Sequence, residues 1–276
     1  MQIDPDTVTR DVRVALTEDI GSGDLSADLI APDVQVDARV VTRDAGVFCG
    51  RPWVDEACRQ VDPEIALHWR VQDGSNIAPG DALVDLDGPA RSLLSVERTA
   101  INFMQLLSAT ATQARRYVDA VAGTGAVVLD TRKTLPGLRA AQKYAVRMGG
   151  AQNHRLGLYD AILLKENHLA AAGSIDAAVR EARRIHPREP VEIEVENHDE
   201  LRAAIAAGVD RVLLDNFALA DLEEAVAITA GRVPLEASGG IALDNVAAIA
   251  RTGVSYVSIG EITKRVVPLD LSMRIG

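Results

Sequence analysis

Ala204-Ile205-Ala206-Ala207-Gly208-Val209-Asp210-Arg211-Val212-Leu213-Leu214 reads as a helix stopped by glycine and followed at once by a strand, and Ala248-Ile249-Ala250-Arg251-Thr252-Gly253-Val254-Ser255-Tyr256-Val257-Ser258 repeats the design. The two stops, Gly208 and Gly253, lie 45 residues apart, with one further apolar run at 233–235 between them. Working outward, short apolar runs recur at 126–129, 161–164, 191–195, 211–214, 233–235 and 254–259, with Ala-rich amphipathic stretches between the later ones. Strands alternating with helices at this pitch predict a parallel sheet, and so many in succession predict a β/α barrel over residues 110–265. A doubly wound open sheet is the competing architecture, but no Gly-x-Gly-x-x-Gly turn follows any of these strands.

In such barrels the carboxyl ends of the strands carry the chemistry. Here those ends hold Thr131-Arg132-Lys133, Lys165, Glu194 and Glu196, Asp215-Asn216, Ser238-Gly239-Gly240 and Ser258-Ile259-Gly260. In Val191-Glu192-Ile193-Glu194-Val195-Glu196 the alternation puts three carboxylates on one face and three aliphatics on the other. The aliphatics are expected under the helices and the glutamates toward the barrel axis, where they need a cation. The two glycine-containing ends offer bare backbone N–H groups, which suits a phosphate cradle opposite the lysines.

Charge sharpens this picture. The chain carries a formal net charge of −11, yet from Asp130 to Lys165 it places seven Lys/Arg (Arg132, Lys133, Arg139, Lys143, Arg147, Arg155, Lys165) against two acids, Asp130 and Asp160. Clustered cations repel unless an anion neutralises them, so the window predicts an anionic ligand. Lys143 and Arg147 are assigned instead to the solvated face of a helix over 138–148. Only four of the 29 basic residues are lysine, and three of those (Lys133, Lys143, Lys165) fall in the window. Lys165 follows the apolar run Ala161-Ile162-Leu163-Leu164, so its ammonium needs a carboxylate or a phosphate to pair with.

Before residue 110 the pattern changes. Residues 34–42, 46–49, 65–71 and 82–86 alternate like antiparallel strands, and Ser92 to Ser108 reads as a long helix with Ser92 as a cap. This predicts a small N-terminal α+β open-sandwich domain over residues 1–109, with the tail 266–276 packing back onto it. Gln72 to Asp81 has the look of a swinging-arm carrier turn, but no lysine precedes Lys133 to carry a prosthetic group. Acidic charge and few aromatics argue against a nucleic-acid surface, and no stretch has the length of a membrane span. Cys49 and Cys58 lack metal-ligand spacing, and Met1 to Arg13 has no apolar leader core, so a cytoplasmic setting is expected.

The chain resembles the quinolinate phosphoribosyltransferases nearly end to end. The resemblance is carried by Glu18-Asp19-Ile20-Gly21-Ser22-Gly23-Asp24, Glu97-Arg98-Thr99-Ala100-Ile101-Asn102, Asp130 to Arg139, Asn153-His154-Arg155, Leu164-Lys165-Glu166-Asn167-His168, Glu192 to Glu196, Leu213-Leu214-Asp215-Asn216, Glu236-Ala237-Ser238-Gly239-Gly240 and Leu269-Asp270-Leu271-Ser272. One departure is Thr263-Lys264, where many relatives carry Thr-His; a cation is kept.

The resemblance implies transfer of a phosphoribosyl group from phosphoribosyl pyrophosphate to quinolinate with loss of CO₂, a step of NAD synthesis that uses Mg²⁺. It implies that Arg98, Arg132, His154, Arg155 and Lys165 surround quinolinate, with Thr131 near the same mouth, and that Lys133 reaches the donor. Glu194 and Asp215 are implied to hold the ribose and Mg²⁺, directly or through water, and with Lys165 to form the catalytic set. Ser238, Gly239, Gly240 and the stretch Ile259-Gly260-Glu261 are implied to bind phosphate. Arg98 is expected from a partner subunit, which implies a homodimer. His168 and His198 are expected to be caps or surface residues. Two other functions stand beside this one: a molybdenum-transport-associated relative of the same fold acting on another acceptor, and a Schiff-base aldolase using Lys165.

Overall fold

The computed structural model describes residues 3–276. Its elements in chain order are α1 (Pro5–Ile20), β1 (Gln35–Thr42), β2 (Gly46–Val47), α2 (Arg51–Val61), β3 (Ala66–Trp69), β4 (Asn76–Ile77), β5 (Ala82–Pro89), α3 (Ala90–Ala120), β6 (Val127–Leu129), α4 (Arg139–Met148), β7 (Ile162–Leu164), α5 (Glu166–Ala172), α6 (Ile175–Ile185), β8 (Val191–Val195), α7 (His198–Ala207), β9 (Arg211–Asp215), α8 (Leu219–Thr229), β10 (Leu235–Ser238), α9 (Val246–Arg251), β11 (Tyr256–Ser258), α10 (Glu261–Lys264) and β12 (Leu271–Ile275). They form two units: Met1–Arg115 with Leu135–Gly150 and Arg265–Gly276, and Arg116–Thr134 with Ala151–Lys264.

In the first unit β12, β1, β5 and β3 form an antiparallel sheet in that order, and β2 pairs with β4. Ala38, Val40, Leu83, Val84 and Leu86 turn inward and join Trp53, Val54 and Ala57 of α2 in one apolar core. Trp53 is fully buried and lies 6.3 Å from the Phe103 ring and 5.5 Å from the Tyr144 ring, centroid to centroid. Burying a side chain of this size stabilises the fold by roughly 1.5–3 kcal/mol. Ser92 does not cap a helix. β5 runs directly into α3, which starts at Ala90, and the Ser92 hydroxyl donates to Asp62 Oδ2 at 2.6 Å.

The two compact units interleave along the chain around the expected boundary at 109/110. α3 runs unbroken past that position, and the segment 135–150 returns to the first unit. The reason lies in α4, whose Ala141 and Ala145 enter the Trp53 core and whose Tyr144 donates to Asp73 Oδ2 at 2.6 Å. Lys143 is correspondingly 1% exposed rather than solvated, because it lies on the buried side of this helix. The basic window is therefore split, with Arg139, Lys143 and Arg147 in the first unit and Arg132, Lys133, Arg155 and Lys165 in the second.

The second unit is a six-stranded parallel sheet in the order β7-β8-β9-β10-β11-β6. Chain neighbours pair side by side and β11 returns to pair with β6, which is the strand order of a β/α ring. β6 and β7 are the two ends of this sheet, and the free edge of β6 carries an isolated bridge from Leu129 to Gln152 in the segment after α4. α7 ends at Gly208 in the left-handed conformation, φ 73°, as the helix–glycine–strand motif requires. Within β8, Val191, Ile193 and Val195 are fully buried under helices, Glu192 is buried on the other face, and Glu194 is half-buried. Glu196 lies beyond the strand and is exposed.

Asp73 links two elements of the first unit. Its Oδ1 accepts the Gly50 and Arg51 N–H groups at 3.0 and 3.2 Å, capping α2, while Oδ2 takes the Tyr144 hydroxyl. Burial holds this carboxyl above the usual aspartate range, so it depends on those donors. Asp73→Ala is expected to cost about 2–4 kcal/mol of stability and Tyr144→Phe about 1 kcal/mol, with the double variant less destabilised than the sum. Urea unfolding of the three variants measures this; strict additivity would mean that Asp73 and Tyr144 act separately.

Candidate active site

The carboxyl ends of the second unit's strands surround a cleft of about 510 Å³, lined by Thr131, Arg132, Lys133, His154, Arg155, Leu163, Lys165, Glu194, Leu213, Asp215, Asn216, Glu236, Ser238, Gly239, Gly240 and Ser258. This is the size range of small-ligand sites. Each position follows from strand alternation: Leu163, Glu194, Leu213, Asp215, Glu236, Ser238 and Ser258 line the cleft from β7 to β11, and residues beyond the strands form the rim.

Asp130 anchors the cationic side. It is fully buried at the end of β6, where Oδ2 accepts from Asn153 Nδ2 at 2.7 Å and Oδ1 from the His154 N–H at 2.8 Å. Arg155 follows, its Nη1 donating to the Ala161 carbonyl at 3.3 Å. Burial, with the Arg132 charge as the next contribution, holds the Arg155 guanidinium below its ordinary range. Two guanidiniums that raise each other's energy in a partly dry cleft define a place for an anion. Lys133 is exposed on the rim, its N–H donating to Thr131 Oγ1 at 3.1 Å and its carbonyl accepting from Thr263 Oγ1 at 2.8 Å.

The opposite side is acidic. The Lys165 ammonium, at the end of β7, pairs with Glu194 Oε2. Burial and then the Glu194 charge push the Asp215 carboxyl above its usual range, against the pull of Lys165, Asn216 and Lys133. Asn216 adopts φ 58° and donates through Nδ2 to Asp215 Oδ2 at 2.7 Å. Ser238 to Gly240 close this side. Gly239 has φ 94°, and a Cβ there would lie 2.1 Å from Asn216 Oδ1, so the β10 turn and the Asp215-Asn216 turn fit only with glycine.

Most implied site residues meet in this cleft, and four do not. Arg98 is exposed on α3 in the first unit and is absent from the lining. Ile259 is fully buried and its N–H is given to the Leu129 carbonyl. Gly260 packs on the Lys133 and Thr131 side chains. Glu261 accepts the Tyr117 hydroxyl at 2.5 Å. His154 is in the lining, but its Nδ1 accepts the Arg155 N–H at 2.8 Å and its Nε2 faces Glu192 Oε2 at 3.0 Å. Its ring nitrogens therefore serve the protein.

Glu192 and Glu236 were not among the implied site residues. Strand alternation signals Glu192, which shares a face with Glu194, while Glu236 precedes the Ser-Gly-Gly turn and pairs with Arg211 Nη1 at 3.0 Å. His168 is a cap, its Nδ1 accepting the Lys165 N–H at 3.0 Å, and His198 sits at the first turn of α7 against the Phe217 ring.

Residues 19–108 match the model of the quinolinate phosphoribosyl transferase N-terminal domain and residues 110–274 that of its C-terminal domain. The chain is 42% identical over 272 residues to the nicotinate-nucleotide pyrophosphorylase [carboxylating] of Mycobacterium leprae, covering 95% of each chain. It is 40% identical over 259 residues to the probable enzyme of that name from Bacillus subtilis, covering 94% of this chain and 90% of that one. The solved nicotinate-nucleotide pyrophosphorylase structure from Francisella tularensis superposes with a TM-score of 0.97 at 44% identity, covering 100% of this chain and 98% of that one.

The Gly239 contact gives a direct test of how the acidic side is built. Gly239→Ala is expected to destabilise the protein by about 1–3 kcal/mol, through left-handed strain and the clash with Asn216. Adding Asn216→Gly, which removes the clashing side chain and itself tolerates positive φ, should recover part of the loss. Thermal unfolding of both variants decides; a double variant less stable than Gly239→Ala would contradict the contact.

Proposed function

The chain belongs to the quinolinate phosphoribosyltransferase family, and on that premise we propose that it transfers the phosphoribosyl group of phosphoribosyl pyrophosphate to quinolinate. The products are nicotinate mononucleotide, pyrophosphate and CO₂, so the enzyme is a carboxylating nicotinate-nucleotide diphosphorylase of NAD biosynthesis. The observation that carries this reading is the polarity of one cleft, with paired guanidiniums on one side and paired carboxylates on the other.

Quinolinate is a pyridine dicarboxylate. Arg132 and Arg155, with Lys165 and Thr131 on the same mouth, neutralise its carboxylates and aim the ring nitrogen across the cleft. Lys133 meets the donor, and the bare N–H groups of Ser238 to Gly240 take a phosphate. The nitrogen lone pair attacks the anomeric carbon as the carbon–oxygen bond to pyrophosphate breaks. Positive charge grows on the ribose, and the carboxylates of Glu194 and Asp215 stabilise it. The Lys165–Glu194 ion pair keeps both charges fixed before substrate arrives. It also argues against an aldolase, which needs Lys165 as a neutral amine.

Glu194 and Asp215 are also the residues that fit Mg²⁺, since two neighbouring carboxylates that raise each other's energy are an oxygen donor set awaiting a cation. When bound with the donor's pyrophosphate, Mg²⁺ supplies charge neutralisation of the leaving group. After transfer the pyridinium nitrogen is cationic. The adjacent carboxylate then leaves as CO₂, its bonding pair remains on the ring carbon beside that nitrogen, and a proton from water completes nicotinate mononucleotide.

Arg98 is assigned to the neighbouring subunit's cleft, which makes the functional unit a homodimer with isologous contacts. A cytoplasmic setting is supported by Cys49 and Cys58, two buried free thiols, of which burial pushes Cys58 up to about 12. Among the described residues no helix is long and apolar enough to cross a membrane.

The direct test is to incubate the protein with quinolinate, phosphoribosyl pyrophosphate and Mg²⁺ and to follow CO₂ and nicotinate mononucleotide; absence of both sinks the reading. Lys165→Ala should lower kcat by at least about 10²-fold, and Lys165→Arg should restore little, because a guanidinium cannot replace the ammonium against Glu194.

A mixture of inactive Arg98→Ala and inactive Lys165→Ala should regain activity. One site of each hybrid dimer then carries both lesions and the other carries neither, and about half of randomly reassociated dimers are hybrids. With subunit exchange verified by tagging one variant, continued inactivity would return Arg98 to its own chain.

A further inference from the structure

Among the most buried charges of the second unit are Glu236, 0% exposed, and Glu192, 7% exposed. Four elements face Glu236. From β9, Arg211 Nη1 donates to Oε2 at 3.0 Å, and its guanidinium carbon lies 4.1 Å from the centroid of the Tyr256 ring. From β8 comes Glu192, whose charge favours the protonated form of Glu236. From the segment after α4 comes His154, with Nε2 3.5 Å from Oε1. From β11 comes the Ser258 hydroxyl, which favours the ionised form. Glu192 Oε1, Glu236 Oε1 and His154 Nε2 are all buried without a well-aligned hydrogen bond among the described residues, although Nε2 lies 3.0 Å from Glu192 Oε2.

Two buried acceptors side by side require a proton between them or a cation. Charge accounting leaves one proton for the group: with Arg211 cationic, the cluster is neutral when either His154 or Glu236 carries an extra proton. The two carboxylates favour the ring as its holder and outweigh burial, which opposes it. The Arg155 main chain decides otherwise. Its N–H points at His154 Nδ1 at 2.8 Å, and a protonated Nδ1 would set two buried donors against each other. The ring is thus neutral with its hydrogen on Nε2, facing Glu192 Oε2 at 3.0 Å, and the extra proton belongs on Glu236. Burial, followed by the Glu192 charge, pushes the Glu236 carboxyl up to about 7, consistent with that placement.

We infer that Glu236 is a positioning residue, acting through Glu192 and His154 on Arg155, whose protonation state sets how tightly the cleft holds the acceptor's carboxylates. The inference rests on the function proposed above and names a determinant of its acceptor affinity. With Glu236 neutral, Glu192 is the only anion of the pair; its charge holds the His154 ring through the 3.0 Å contact at Nε2, and His154 Nδ1 fixes the main chain that carries the Arg155 guanidinium. With Glu236 ionised, a second negative charge lies beside Glu192, whose field already reaches Arg155. That charge competes with the acceptor for the arginines and draws the His154 hydrogen away from Glu192. Acceptor affinity is therefore full below about 7 and falls as pH rises through it.

Calorimetric titration of quinolinate, whose carboxylates stay ionised across the range, tests this between about pH 6 and pH 8, bracketing the Glu236 transition. The parent protein is expected to weaken by about 3- to 10-fold across that range, and Glu236→Gln, an isostere of the protonated form, to show a flat profile. Arg211→Met should move the transition to higher pH, because it removes the cation that favours ionisation. Equal pH slopes in the parent and Glu236→Gln overturn the inference. So does a ¹³C-carboxyl signal of Glu236 that does not titrate near neutrality in the parent protein, a readout that needs no variant to fold. Stabilisation of the parent but not of Glu236→Gln by added Zn²⁺ or Mg²⁺ would make the cluster a metal site and overturn it as well. If quinolinate fails to bind the parent at any pH, the proposed function falls instead, and the carboxyl titration still judges where the proton sits.

Discussion

The buried carboxylate of Asp130 is the constraint on which the rest of the second unit depends. The free edge of β6 is held by the single bridged pair Leu129–Gln152, on the segment after α4. Asp130 reinforces it by accepting the Asn153 side chain and the His154 main chain. Without those acceptors the stretch carrying Arg155 would hang from one backbone bridge. A carboxylate that leaves water must recover several kcal/mol through its hydrogen bonds. The edge of β6 is thus where the sheet spends a buried charge to fix the stretch that carries a cationic one.

The same logic orders the remaining charges. The acids of β8 to β10 are each held by a partner, three of them on another element: Glu194 faces Lys165, Glu236 faces Arg211 and Glu192 faces His154, while Asp215 is held by the adjoining Asn216. Neighbouring strands thereby hold each other's side chains at angles the backbone ladder alone does not set. Water is partly excluded from the cleft, so these pairs interact more strongly than on the surface, and rearranging them for each turnover would be costly. Preorganisation of this kind suits a reaction in which charge appears briefly on a ribose ring and disappears again.

Much of this was legible in the sequence because parallel strands and glycine-stopped helices leave periodic marks. The apolar runs around β6 to β11 and the helix–Gly208–strand unit fall where periodicity puts them. Strand ends are read by counting, so Thr131, Arg132, Lys133, Lys165, Glu194, Asp215 and Ser238 to Gly240 could be placed in one cleft. What could not be read was tertiary. α4 is amphipathic in either unit, and only the Trp53–Tyr144–Asp73 contacts show that it returns to the first. The Lys143 charge reads as solvated until its helix is seen from the buried side. For His154, residue type suggests a ligand, but the direction of its nitrogens depends on Asp130 and Glu192, which are remote in sequence.

The polarity of the cleft also explains why one site can serve two anionic substrates without binding either in the wrong place. On the proposed reading, a dicarboxylate gains most beside Arg132 and Arg155 and is repelled by Glu194 and Asp215. A phosphoribosyl donor carries its negative charge at both ends and develops positive charge in the middle, so on the same reading its ribose belongs over the acids and its phosphates at Lys133 and the backbone turns. Opposed fields therefore orient the two reactants toward each other before any bond changes. Lys165 sits where the fields meet, and its pairing with Glu194 keeps the cationic side from neutralising the acidic one. Removing that ammonium would leave Glu194 and Asp215 as an uncompensated pair, a larger change to the field than the loss of one contact.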